Sequence, residues 1–382
     1  MRSCYLCGCE LTDANTTKEH IFIQAIGGHL FSKELLCKTC NSTVGNTIDT
    51  VLAEQLNFAS NLLDIQRDRG KPPVLRAQDM ETGEQIRIEP GGKPAYVRPR
   101  IKESPRDGDA HYSVEAVDRR QAKEVIRGFK RKHPELDEEA ILRGAVKQER
   151  YMKSEVTFPV MLGGSKAFRS VCKTAVNYYL YTGGSNSHIA HLRFYIKREE
   201  ERQDVVFWAQ LAEDPFVCAI DEFSHNIVTC GDPVEKLLYA YVDFFGIYRT
   251  IVVLNHCYNG NDLRKSYSYD VFSRKEIERS GDLQMSREQI KQMAGELLPR
   301  EEIVRQLSTL IEAILRKQSG DHVRTLLERA VLNFRQKHPD AVEMTKEMCE
   351  ELSNETMTQL TPWLLHLLNQ NQWENNDKES EI

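Results

Sequence analysis

The chain has 382 residues, with 51 lysines and arginines against 57 aspartates and glutamates, and its formal net charge is −6. Hydrophobic residues make up 40% of it and charged residues 28%, which excludes wholesale disorder. The negative balance excludes a uniformly basic protein, so any surface that binds nucleic acid must be local. At about 150 residues per domain, the length predicts two or three domains.

Neither a membrane span nor a secretory leader is predicted. The chain has no run of about 18 apolar residues, and the stretch that begins Met1-Arg2-Ser3-Cys4 is too polar for a signal peptide. We therefore expect a cytoplasmic protein without a membrane partner.

Cysteines are concentrated at the N-terminus, where five of the ten fall within the first 40 residues. Cys4 and Cys7 form one C-x-x-C pair, and Cys37 and Cys40 form a second. Two such pairs in a cytosolic chain predict a structural zinc ion held by four thiolates, each about 2.3 Å from the metal. Cys9 is out of register with both pairs, but it could substitute as a ligand.

The segment between and after these pairs predicts two strands and a helix. Residues 21–26 are predicted as a strand, Gly27-Gly28 as a turn, and residues 30–36 as the returning strand. Apolar residues at helical spacing then predict a helix over 47–64: Ile48, Leu52, Leu56, Ala59 and Leu63. Together with the cysteine pairs, this order predicts a zinc-stapled ββα unit.

Three groups of residues in this unit occur together in the order of a known family. They are Glu19-His20-Ile21, the turn Gly27-Gly28, and Leu36-Cys37-Lys38-Thr39-Cys40-Asn41. The unit closely resembles the HNH, or ββα-metal, endonucleases over about residues 1–65. The middle asparagine of the family's triplet should lie five residues before Cys37, where this chain has Ser32.

The resemblance implies a role for three residues. His20 matches the histidine that acts as general base on water. Glu19 matches the acidic residue that holds the catalytic metal, and Asn41 matches the second protein ligand. The chemistry is consistent with these roles, because a neutral imidazole suits proton abstraction near pH 7, and carboxylate and amide oxygens favour Mg²⁺ or Mn²⁺.

Two geometric expectations accompany these roles. Glu19 and His20 would face opposite sides of a regular strand, so we expect a strand end or a bulge there. Asp49 lies eight residues after Asn41, about 12 Å along a continuous helix. Asp49 is therefore interpreted as a structural or supporting group unless Gly45 breaks the helix.

The best candidate for a nucleic-acid surface lies outside this unit. Residues 97–132 hold eleven basic and six acidic residues, a balance of +5. The predicted contacts to a DNA backbone are Arg98, Arg100, Lys102, Arg127, Lys130, Arg131 and Lys132. The alternative is a solvated helix face.

The rest of the chain predicts a mixed middle region and a helical end. A helix is predicted over 167–181, strands over 205–273 with a long hairpin through Gly246, and helices from residue 286 onwards with breaks near residues 319, 339 and 353. Residues 301–382 have a balance of −6, which favours a docking or oligomerisation role over DNA binding.

The predicted fold class is α+β. Its domains are an HNH module at 1–66, a mixed α/β regulatory or targeting domain at 67–284, a helical region at 285–370 and a frayed tail at 371–382. By resemblance, the chain is a metal-dependent endonuclease that hydrolyses DNA, with structural Zn²⁺ and catalytic Mg²⁺ or Mn²⁺. Its large remainder suggests a regulated restriction or anti-phage effector. The alternative is a zinc-stapled module that binds nucleic acid or protein without cutting.

Partners beyond DNA follow from the same reasoning. The middle domain could sense an activating ligand or partner. We expect a homodimer, because cutting both strands with one site per chain usually needs two protomers.

Overall fold

The computed structural model describes residues 2–106, 109–146, 151–152, 154–198, 202 and 204–380. Its strands are β1 Glu19–His20, β2 Phe31–Ser32, β3 Leu75–Asp79, β4 Gln85–Glu89, β5 Lys93–Tyr96, β6 Arg100–Arg106, β7 Asp109–Glu115, β8 Val156–Thr157, β9 Val206–Trp208, β10 Ser224–Asp232, β11 Leu237–Phe244, β12 Tyr248–Asn255, β13 Leu263–Asp270 and β14 Lys275–Glu276. Its α-helices are α1 Lys38–Val44, α2 Thr50–Gln55, α3 Asn57–Leu62, α4 Arg119–Lys130, α5 Glu138–Arg143, α6 Ser165–Tyr181, α7 Asn186–Ile189, α8 Leu192–Lys197, α9 Arg287–Ala294, α10 Arg300–Lys337 and α11 Lys346–Ser380.

These elements belong to two compact units. The first unit comprises Met1–Val74, Pro90–Gly92 and Val160–Arg316, and the second comprises Leu75–Glu89, Lys93–Pro159 and Lys317–Ile382. Helices and strands occur in both, and the C-terminal part of the chain is helical, so the predicted α+β class is confirmed. The predicted domain boundaries stay a prediction.

The first unit is built on a six-stranded antiparallel sheet in the order β14-β13-β10-β11-β12-β9. The predicted hairpin is confirmed, because β11 and β12 pair and the connection passes through Gly246 at φ +71°. One face of the sheet carries an apolar cluster that includes Tyr239, Ile251 and, from α9, Ile290. Helix α6 packs against β9–β12. Covering on both faces explains why every residue of β11 is buried.

The N-terminal strands are shorter than predicted: β1 lies just before the predicted strand at 21–26, and β2 lies within the predicted strand at 30–36. Glu19 pairs with Ser32 and His20 with Phe31, whereas the predicted strand at 21–26 is wrong, since Gln24–Ile26 forms a 3₁₀ turn. The tight packing of this loop accounts for the difference. A Cβ on Gly28 would lie 2.0 Å from the Phe22 carbonyl oxygen, so the chain bends back on itself there.

The helix of the ββα unit begins earlier than the apolar pattern predicts. It begins at Lys38 rather than near residue 47, because the Cys37 side chain caps it by accepting a hydrogen bond from the Cys40 amide. Gly45–Asp49 continues it as a π-helical turn, and α2 and α3 follow. The helix therefore connects the second cysteine pair directly to the apolar face that the sequence predicts.

His225 on β10 ties the N-terminal loop to the sheet. It is fully buried, and its Nε2 donates a hydrogen bond to the carbonyl oxygen of Ile26 at 2.9 Å. The Phe22 ring stacks on the imidazole with 5.3 Å between centroids. Gly27 lies against Val271, which follows β13. The loop is thus fixed to the sheet by one polar and several apolar contacts.

The second unit contains a four-stranded antiparallel sheet, β5-β4-β3-β8, and the separate hairpin β6-β7. Helix α4 packs on this hairpin, with the Tyr112 and Phe129 rings 4.8 Å apart. The predicted helix breaks near 319 and 353 are wrong, because α10 and α11 run through them, whereas the break near 339 falls between these two helices.

The segment predicted as a frayed tail falls mostly within α11, which extends to Ser380, and residues 381–382 lie outside the described residues. Among the described residues, no helix combines the length and apolar character that a membrane span requires.

We expect acid to destabilise the first unit through His225. Burial lowers the pKa of His225 from 6.5 to about 4. Between these values the unfolded chain binds the proton and the folded chain does not. Stability therefore falls as the pH drops below 6.5, by about 2 kcal/mol at pH 5. Replacing His225 with glutamine, which keeps an N–H donor but does not titrate, should flatten this dependence in urea unfolding at pH 7, 6 and 5.

The exposed His29 provides the control, since His29→Gln should leave the slope unchanged. An equally steep slope in wild type and His225→Gln would contradict the assignment.

Candidate active site

The Glu-His pair sits on a regular strand with its two side chains on opposite sides. β1 consists of these two residues alone, so both lie at a strand end, which is one of the two expected arrangements; the pairing with β2 shows no register shift and therefore no bulge. The Glu19 side chain is 2% exposed, whereas the His20 side chain is 22% exposed. The acid therefore points into the protein and the imidazole points outwards, as strand alternation dictates.

Glu19 is held by helix α6. The ammonium group of Lys173 forms an ion pair with Glu19 Oε1, and Asn177 Nδ2 donates to the same oxygen at 2.7 Å. Burial raises the pKa of Glu19, while the Lys173 charge opposes that shift. Lys173 is itself only 2% exposed, so this is a buried ion pair between residues 154 positions apart.

Asp49 completes the arrangement from the helical side. Its Oδ2 lies 2.9 Å from Lys173 Nζ, and its Oδ1 accepts a hydrogen bond from Ser170 at 2.6 Å. This contact agrees with the interpretation of Asp49 as a structural or supporting group. Ser170, Lys173 and Asn177 recur at intervals of three and four and therefore share one face of α6. Polar residues at helical spacing within a buried apolar helix were the signal that could have revealed this contact.

His20 has surroundings of its own. Its Nε2 lies 4.0 Å from Asp68 Oδ2, and its ring centroid lies 5.9 Å from that of Phe31. Burial lowers the pKa of His20, so the imidazole is neutral at pH 7. Ser32, at the position of the family's middle asparagine, faces Glu19 in the pairing instead. Asp68 was missed because nothing in a loop sequence marks it as a partner of His20.

Asn41 lies beside the start of β1. Its Nδ2 donates to the main-chain oxygen of Lys18 at 3.1 Å. The amide nitrogen is therefore turned towards the strand that carries His20, and the amide oxygen is the atom that could bind a cation. The fold brings Asn41 to the segment that carries the Glu-His pair.

Five cysteines lie close together at the start of α1. The Sγ atoms of Cys4, Cys7, Cys9 and Cys37 all lie within 4.8 Å of one another. Cys7 Sγ and Cys37 Sγ are 3.8 Å apart. Two thiolates bound to one tetrahedral zinc ion, each at about 2.3 Å, are separated by about 3.8 Å, so the spacing fits this metal.

The fourth ligand can come from either of two residues. The proximity group includes Cys9, whereas the sequence predicts Cys40. The Cys40 side chain nevertheless interacts with Cys4, Cys7 and Cys37. Burial opposes ionisation of Cys7, but hydrogen bonds from the Cys9 backbone and from neighbouring thiols lower its pKa to about 6. A thiolate is the form that binds zinc.

Comparison with known families identifies the unit. Residues 4–57 match the family model described as HNH endonuclease, HNH_5. The chain contains an HNH endonuclease domain. Comparisons with curated proteins and with solved structures find no match. The HNH domain lies in the first unit, together with α6 and the six-stranded sheet.

A catalytic cation does not fit Glu19 as this residue is placed in the HNH domain. One carboxylate oxygen already accepts from Lys173 and Asn177, and the side chain is almost fully buried. A hydrated divalent cation would have to displace a buried ammonium group to reach it. Asn41 offers an accessible oxygen, but an amide alone is a weak anchor. The metal-binding role of Glu19 stays a prediction that this geometry does not favour.

A second contact anchors the HNH domain to α6. Gln55 at the end of α2 donates through Nε2 to the Gly163 carbonyl at 2.7 Å, and its Oε1 accepts from the Gly163 amide at 3.0 Å. The loop before α6, which the sequence marks as glycine-rich, therefore binds the HNH domain through its backbone.

The predicted nucleic-acid residues lie in the second unit. Residues 98, 102, 127, 130, 131 and 132 are exposed, on or beside β6 and α4. Arg100 is partly engaged, because it pairs with Glu84 and stacks over the Tyr96 ring at 3.7 Å. Arg127 is 3.4 Å from Glu138.

The zinc ligand set can be resolved by single substitutions. We expect Cys40→Ser to lose most of the bound zinc and Cys9→Ser to retain about one ion per chain, because Cys40 approaches three other thiols and closes the second C-x-x-C pair. Zinc content of the purified variants, measured by plasma mass spectrometry, checks this. Zinc retained in Cys40→Ser and lost in Cys9→Ser would instead assign the fourth position to Cys9.

Proposed function

We propose that this chain is a divalent-metal-dependent endonuclease that hydrolyses DNA phosphodiester bonds, with His20 as general base. The observation that carries the proposal is the HNH endonuclease match over residues 4–57, together with an outward-facing imidazole at the matching position. The proposal is also supported by the proximity of α1, which carries Asn41, to β1, which carries His20, since Asn41 Nδ2 donates to the Lys18 carbonyl oxygen.

His20 supplies the proton chemistry. Its neutral imidazole accepts a proton from water as the oxygen attacks phosphorus, and the phosphorus–oxygen bond to the leaving sugar oxygen breaks as that oxygen takes up a proton from solvent. Asp68 lies close enough to stabilise the imidazolium that forms. A divalent cation would neutralise charge on the phosphate when bound. Asn41 could contribute an amide oxygen to it.

The second unit supplies the proposed backbone contacts. Lys102 on β6 and Arg127 and Lys130 on α4 are exposed, and α4 packs on the hairpin through Tyr112 and Phe129. Phosphate contacts of this kind add affinity without reading sequence. They would compensate for the N-terminal part of the chain that contains the HNH domain, since residues 1–70 carry six basic and eight acidic residues.

The biological role proposed is a regulated restriction or anti-phage effector. Its support is architectural: a nuclease domain of about fifty residues is built into a chain of 382. Purified protein that cuts plain plasmid at full rate without an activator would contradict regulation.

Removal of the base is the direct test of the nuclease. His20→Ala should lower the rate of plasmid nicking with Mg²⁺ or Mn²⁺ by about 10²–10⁴-fold, since this is the usual contribution of a general base. His29→Ala, in the same module, is the matched control and should stay near wild type. If wild type and His20→Ala cut equally, the mechanism is wrong. If neither cuts and both bind DNA, the non-catalytic binding module is favoured.

Charge reversal tests the second unit. Replacing Lys130, Arg131 and Lys132 with glutamate should weaken DNA binding and reduce the slope of log K against log salt by about 2 to 3. Fluorescence anisotropy over a salt series measures both quantities.

The control for this test reverses three basic residues in the acidic C-terminal helices: Arg324, Arg335 and Lys346. An equal loss of binding in both triple variants would show that only net charge matters and would remove the proposed surface.

A further inference from the structure

Three charged side chains in the first unit are buried together and have no place in the chemistry proposed so far. Lys173 lies between Glu19 and Asp49, and the exposed fractions of the three side chains are 2%, 2% and 12%. Charges are seldom buried without partners, because desolvation is costly. An arrangement that brings them from two distant segments into one contact calls for a function.

We propose that Lys173 is a positioning residue for His20, and that Glu19 is its anchor on β1 rather than a ligand of the catalytic cation. The proposal rests on the proposed nuclease function. It changes the role of the residue before the histidine from metal binding to support.

The contacts of Asn177 connect this support to His20 itself. Asn177 Nδ2 donates to Glu19 Oε1 at 2.7 Å and also approaches the His20 carbonyl oxygen at 3.5 Å. Its Oδ1 accepts from the Tyr5 hydroxyl at 2.8 Å, which fixes the orientation of the amide. The side chain of residue 19 and the main chain of residue 20 are therefore fastened to the same helix.

Helix α6 is a rigid base for these contacts. Its residues from 169 to 179 are all buried, and it packs against both the π-helical turn of the HNH domain and strands β9–β12. A two-residue strand cannot fix its own position, since it makes few ladder hydrogen bonds. Fastening β1 to a buried helix gives His20 the precision that catalysis requires.

The same contacts keep the Glu19 carboxylate from binding the catalytic cation. Its side chain lies on the buried side of β1, whereas His20 lies on the other side. A cation that served the phosphate next to His20 would have to reach through the strand. Lys173 already supplies the positive charge that Glu19 needs, so Glu19 gains little from a second cation.

The test uses zinc-loaded full-length protein and three variants: Glu19→Gln, Lys173→Met and the double variant. We expect each single variant to lower kcat by about tenfold or more at 20 °C with little change in KM, because the base is displaced while DNA contacts remain. The Mn²⁺ concentration for half-maximal nicking should stay within about twofold of wild type. The double variant should unfold at a higher urea concentration than Lys173→Met, since it leaves no unpaired Glu19 carboxylate.

Lys166→Met, an exposed substitution on the same helix, is the control and should resemble wild type. Asn177→Leu is a milder variant that leaves the ion pair in place and keeps the volume. It should lower kcat in a protein that still unfolds cooperatively. If the charge variants fail to fold, this variant tests whether the contacts of α6 position His20.

Three results would overturn the proposal. A tenfold rise in the Mn²⁺ requirement of Glu19→Gln, matched by weaker Mn²⁺ binding in electron paramagnetic resonance, would make Glu19 a metal ligand. Unchanged kcat in folded Lys173→Met or Asn177→Leu would show that these contacts contribute to stability and do not position His20. Absence of nicking by wild type would instead reject the nuclease, which is a separate outcome.

Discussion

One ammonium group connects the HNH domain to the rest of its unit. Lys173 lies between Glu19 on β1 and Asp49 on the helical segment, so a single side chain of α6 contacts both halves of the ββα arrangement. Removing one member of such a cluster leaves a buried charge without a partner, which typically costs about 3–5 kcal/mol. The relative positions of β1 and the helix that carries Asn41 therefore depend on a residue more than a hundred positions outside the family match.

The cysteine cluster and the six-stranded sheet support two further parts of the same domain. The cysteine cluster joins the N-terminal knuckle to the start of α1, where Cys37 is also the helix cap. His225 and Phe22 fasten the loop between β1 and β2 to the six-stranded sheet. A domain of this size buries a small core and is marginally stable, so such supports add substantially to its stability. The cysteine cluster, whose spacing fits a zinc ion, is one of them, and the larger part of the unit supplies the others.

Features within short segments could be predicted from the sequence, whereas contacts between distant segments could not. The two cysteine pairs, the Glu-His pair and Asn41 lie within the first 41 residues. Their residue types and spacing were enough to predict the family and the cysteine cluster. The hairpin of β11 and β12 followed from β-branched runs around Gly246. Lys173, Asn177 and His225 contact the domain across 150 to 200 residues. The polar spacing within α6 indicates a buried polar face, but it does not identify the partners of that face. The helix start at Lys38 was missed because a cysteine is not a usual cap.

Strand alternation explains why the two residues of the Glu-His pair can differ in role. In a regular strand, neighbours face opposite sides, so the residue that anchors the strand cannot also reach the substrate beside its neighbour. An anchor on the buried side needs a charge partner, which α6 provides. The outward imidazole needs a partner of its own, and Asp68 lies at that side. The absence of a bulge in β1 thus makes the burial of Glu19 and the exposure of His20 consequences of the same geometry.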